Sequence, residues 1–112
     1  MSSPSLSVDA SHVDGYAVVR FVGELDLQGA SHAKQYAIRA LSASRSGPLF
    51  IDLSDLSFCD SRGVHAFFAI QEEARSKGRA VVLQRPQPAV ATVFRICGMH
   101  NVFEIQGEQT AP

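Results

Sequence analysis

The sequence is poor in cysteine, in net charge and in long apolar runs, and each shortage removes a class of function. Cys59 and Cys97 are too few for a disulfide framework, and each sits inside an apolar segment, the setting of a small buried side chain. Ten Lys and Arg nearly cancel eleven Asp and Glu, giving a formal net charge of −1. Without a basic cluster there is no field to draw in nucleic acid or an anionic membrane. The apolar runs are strand-length, against the roughly 20 residues of a membrane span, and Met1-Ser2-Ser3-Pro4-Ser5 lacks the basic and apolar regions of a signal peptide. A cytoplasmic location, with no direct nucleic-acid or membrane partner, is expected. His12, His32, His65 and His100 are scattered without metal-ligand spacing, and no Gly-rich phosphate loop is present. Neither a metal nor a cofactor is expected.

What is present suits one globular domain: 112 residues, 46% hydrophobic and 19% charged, enough for a single core. Polar, Pro- and Gly-containing ends set off residues 1–5 and 107–112 as tails around a domain at 6–106. Leu6–Val8 and Ala17–Val22 read as strands joined by an Asp14-Gly15 hairpin turn. A helix is predicted from Gln28 to about Ser44, with Ala33, Ala37, Ala40 and Leu41 on one stripe, before the Ser46-Gly47-Pro48 break. Leu49–Leu53 is too uniformly apolar for a half-exposed strand and predicts a central one covered on both faces or nearly so. Val64, Phe67, Phe68, Ile70 and Ala74 mark the inner face of a helix that ends near Lys77 and Gly78. Ala80–Leu83, a helix opened by Pro88 and closed by Gly98, and Val102–Ile105 complete an alternating α/β pattern.

The junction at Phe58-Cys59-Asp60-Ser61-Arg62-Gly63-Val64 carries the most information, because it sets Ser61 where a strand passes into a helix. Unpaired N–H groups in a first helical turn favour an oxygen or a phosphate, so a hydroxyl there is both a natural cap and a natural place for added charge. Ser61 and His65, four residues apart with Asp60 adjacent, invite a hydrolase reading. That reading is poor: the sequence has no Gly-x-Ser-x-Gly elbow, and a helical neighbour is not placed like a triad histidine. No catalytic residue is assigned.

Three pieces in order resemble the STAS domain family, the bacterial anti-sigma factor antagonists. They are Val19-Arg20-Phe21-Val22-Gly23-Glu24-Leu25-Asp26, Phe50-Ile51-Asp52-Leu53 through Asp60-Ser61-Arg62-Gly63-Val64, and Cys97-Gly98-Met99 with Val102-Phe103. The resemblance runs from about Val18 to Ile105. It implies a single STAS domain of α/β class: an N-terminal hairpin, then alternating helices and strands, forming a mixed sheet packed by helices.

The resemblance also implies a function. Family antagonists bind a serine kinase and anti-sigma factor of the GHKL ATPase type and so release a sigma factor. Phosphorylation of the motif serine, here Ser61, ends binding, and a metal-dependent serine phosphatase restores it. The expected partner surface is Asp26, Asp60, Ser61, Arg62, Gly63, Val64 and His65, and the resemblance implies no chemistry performed by the chain itself; a domain of this size can be a monomer or a weak dimer. Arg62 stands where the family often has a second Ser or Thr, and His65 where it commonly has Gly. The alternative within the family is a structural subunit of a stress-signalling scaffold or lipid-transport complex that is never phosphorylated.

Overall fold

The structure, a computed structural model, describes residues 5–109. Its elements are β1 (Leu6–Val13), β2 (Tyr16–Leu25), α1 (Leu27–Ala43), β3 (Leu49–Cys59), α2 (Ser61–Ser76), β4 (Val81–Gln84), α3 (Pro88–Ile96), a 3-10 turn at Met99–Asn101 and β5 (Glu104–Gln106). The five strands lie in chain order, β1-β2-β3-β4-β5. β1 and β2 form the expected antiparallel hairpin, and every later neighbour pairs in parallel.

Side-chain alternation places the core. Ala17, Val19 and Phe21 of β2 and Leu49, Ile51 and Leu53 of β3 are buried, while Arg20 between them is exposed. The buried face meets Ala33, Ala37, Ala40 and Leu41 of α1, Phe67, Ile70 and Ala74 of α2, and Val90 and Phe94 of α3 in one cluster. The small residues on α1 let two layers approach closely. At the centre Phe67 lies against Phe21, with ring centroids 5.7 Å apart, and against Phe94 at 5.4 Å. Each buried phenyl contributes about 1.5–3 kcal/mol from its area alone.

Several expectations are corrected. β3 is the central strand, but Phe50 and Asp52 on its second face are only half-buried. Its apolar run reflects Leu49, Ile51 and Leu53 pointing inward, not cover on both sides. β3 also continues through Ser54, Asp55 and Ser57 to Cys59, with two register shifts against β2 that break the alternation. β1 extends to Val13, and Val102 and Phe103 precede β5, which begins at Glu104.

Arg79, which no pattern in the sequence singled out, secures the end of α1. Its guanidinium donates to the carbonyls of Gly47 (2.7 Å), Leu41 (2.7 Å), Ser44 (2.8 Å) and Ser46 (3.1 Å), and to the Ser44 hydroxyl. A helix end leaves carbonyls without partners, and a cation there satisfies several at once. Of the two expected tails, Ser5 accepts a hydrogen bond from the Glu24 N–H at 2.8 Å, and Gln109 N–H donates to Pro86 O at 3.1 Å. Residues 1–4 and 110–112 lie outside the described residues.

Candidate functional site

The site grows from the parallel pairing of β2 and β3. Leu25 sits opposite Cys59, so the next residues, Asp26 and Asp60, leave the sheet side by side. Each turns into extended backbone and caps a helix. Asp26 Oδ1 accepts the Gly29 N–H at 2.9 Å, and Asp60 Oδ1 accepts the Gly63 N–H at 2.7 Å. The same Asp-x-x-Gly device is thus used twice at one edge. Each carboxylate satisfies an orphan donor and faces the positive end of a helix dipole, together worth about 1 kcal/mol per cap. A hydrogen bond from Asp60 N–H to Leu25 O, 3.3 Å, ties the two turns together.

Capping by Asp60 changes the standing of Ser61. Sequence alone offers Ser61 as its own cap, yet it is the first residue inside α2, exposed, and its hydroxyl has no hydrogen-bond partner among the described residues. The local fold makes no use of that oxygen. Arg62 is exposed and reaches back to Asp60 Oδ2 at 3.5 Å. His65 is exposed one turn further on, and no hydrogen bond joins it to Ser61. No hydrogen bond activates the Ser61 hydroxyl among the described residues, and it stays open to solvent.

Two residues of the expected surface are buried beneath it. Gly63 is buried against Leu25, and Val64 is 3% exposed within the core cluster, one turn before Phe67 on the same inward face. Their side positions serve packing. The exposed members are Ser61, Arg62 and His65, with Asp26 and Asp60 half-buried beside them.

Two other residues at this edge escaped the sequence reading. Leu27 opens α1 and is 60% exposed; Phe58, two residues before Asp60, is 45% exposed. The available signal is the pair of apolar residues at each capping aspartate, on both sides of it in Leu25-Asp26-Leu27 and ahead of it in Phe58-Cys59-Asp60. Only one apolar residue of each set reaches the core, here Leu25 and Cys59. The other is left outside. Burial pushes the Cys59 thiol up to about 12, helped by the charge of Asp60 and by Cys97, so it stays protonated and chemically quiet.

Comparison with known proteins agrees with this architecture. The chain matches the STAS domain family over residues 7–110 and belongs to it. It is 26% identical over 98 residues to an anti-sigma-B factor antagonist of Listeria monocytogenes, covering 88% of this chain and 82% of that protein. An anti-sigma factor antagonist from Mycobacterium paratuberculosis superposes with a TM-score of 0.75 at 28% identity, covering 95% of this chain and 90% of the other. The unphosphorylated form of the anti-sigma factor antagonist SpoIIAA superposes at 0.72 with 24% identity, covering 88% and 87%, a likeness of fold. The mixed five-stranded sheet with three helices is the fold expected from the sequence.

Proposed function

We propose that this chain is an anti-sigma factor antagonist. In this reading it binds a GHKL-type serine kinase that otherwise holds a sigma factor, and it is switched off by phosphorylation of Ser61. The observation that carries the reading is the exposed Ser61 hydroxyl, left free because Asp60 supplies the helix cap. The names of the relatives support it.

The docking surface comprises Leu27 and Phe58 as apolar contacts around the polar group of Asp26, Asp60, Ser61, Arg62 and His65. On the kinase, Ser61 Oγ attacks the γ-phosphorus of ATP. The new O–P bond replaces the bond to the β-phosphate oxygen, ADP leaves, and the hydroxyl proton passes to a base of the kinase. A phosphate at a helix start is tolerated by its own fold, worth about 0.3–1 kcal/mol from the dipole. A partner surface shaped for a neutral hydroxyl must instead desolvate that phosphate together with Asp60, which opposes binding. A metal-dependent phosphatase then transfers the phosphoryl group to water and restores Ser61. The chain acts in the cytoplasm, as a monomer or weak dimer.

Phosphopeptide mapping of the protein isolated from its native cell tests the reading. Phosphate on Ser61, with a GHKL-type kinase co-purifying only with the unmodified form, is expected. An unmodified Ser61 under every growth condition, with partners of another class, overturns it in favour of a constitutive structural subunit.

A further inference from the structure

We propose that Arg62 is a clamp that exchanges partners, holding Asp60 while Ser61 is unmodified and moving to the phosphate once Ser61 carries one. This rests on the reading of Ser61 as a phosphorylated residue. The two oxygens of Asp60 are used unequally. Oδ1 takes the anchored Gly63 N–H at 2.7 Å, whereas Oδ2 meets the guanidinium of Arg62 at 3.5 Å, with the Arg62 side chain 64% exposed and that of Asp60 23%. The short bond is the cap, and the long, solvated contact adds little. Arg62 is therefore free to leave without loosening the start of α2.

A phosphate on the neighbouring Ser61 brings about 1.5 to 2 negative charges and three strong acceptors, against one half-used carboxylate oxygen. The planar guanidinium matches such a group with two parallel donors. Competition for the phosphate is sparse: Arg62 is the only Lys or Arg between Phe21 and Ala33 or between Asp52 and Glu73, the segments that build this edge. In the unmodified state Asp60 and Arg62 cancel. After the exchange Arg62 offsets part of the phosphate, and Asp60 Oδ2 is released to solvent. A phosphate held against its own helix is also slower to be removed, which prolongs the off state.

The test needs no cognate enzyme. Phosphoserine is installed at position 61 through an expanded genetic code in the wild-type chain and in Arg62→Gln and Arg62→Lys, with folding checked by circular dichroism. The second ionisation of the phosphate is then followed by phosphorus NMR. The midpoint in wild type is expected about half a pH unit below that of Arg62→Gln. Arg62→Lys should fall between them, and the difference should shrink at about 1 M salt. A nonspecific alkaline phosphatase should release phosphate several-fold faster from Arg62→Gln. Equal midpoints and equal release rates in all three proteins overturn the clamp. Because the phosphate is installed without a kinase, the result is independent of whether Ser61 is modified in the cell, which phosphopeptide mapping decides separately.

Discussion

The carbonyl oxygen of Leu25 faces Gly63 so closely that a Cβ built on Gly63 would overlap it. The same oxygen accepts the Asp60 N–H at 3.3 Å. One carbonyl at the end of β2 thereby fixes both the exit of β3 and the first turn of α2, which is why Ser61 emerges at a defined place at the start of that helix. Gly63 is required here for lack of a side chain, not for its backbone angles. Gly63→Ala forces either the helix or the strand end to shift, and about 1–3 kcal/mol of stability should be lost in urea unfolding.

The division of labour between Asp60 and Ser61 makes a paired prediction. Asp60→Ala removes the cap of α2 and should cost about 1 kcal/mol. Ser61→Ala removes a hydroxyl without a partner and should stay within about 0.5 kcal/mol of wild type. Equal losses in the two variants would show that Ser61 shares the capping role.

The open face of the sheet supplies a pH prediction. Burial alone would raise the pKa of Asp52, but the Ser54 N–H at 3.0 Å and the Arg85 guanidinium at 3.0 Å outweigh it and hold the carboxyl below its ordinary 3.8. A carboxyl depressed in the folded state adds stability that is complete above the unfolded value and is lost as pH falls below it. Asp52→Asn should therefore be less stable than wild type at neutral pH and lose less on acidification below about pH 4. Urea midpoints measured at several pH values would check both halves of that statement. Curves that stay parallel through the acid range would contradict it.

Much of this arrangement was legible in the sequence, for physical reasons that differ by element. The alanine stripe of α1 and the Phe67, Ile70, Ala74 face of α2 follow a period that burial enforces. Gly78, at φ 68°, stops α2 as its position suggests. The far half of β3 was hidden because Ser54, Asp55 and Ser57 bring polar residues into a strand whose register shifts twice. In the site itself, both Asp60 and Ser61 are acceptable caps by residue type, and only the extended backbone at Asp60 assigns the role. Val64 belongs to the inner face by its spacing from Phe67 and to the expected partner surface by its place near the helix start, and the fold buries it. Leu27 and Phe58 do not declare themselves as surface residues, because an apolar residue beside a strand end is more often buried than exposed.

Charge on Ser61 should end partner binding without harming the fold. Tagged wild type, Ser61→Ala and Ser61→Asp, purified from the native cell, are to be compared for the proteins they retain, read by mass spectrometry, and for their melting temperatures. A GHKL-type kinase should be retained by wild type and Ser61→Ala and lost from Ser61→Asp, with all three melting within a few degrees of one another. The same partners on all three forms, or an unfolded Ser61→Asp, would contradict it.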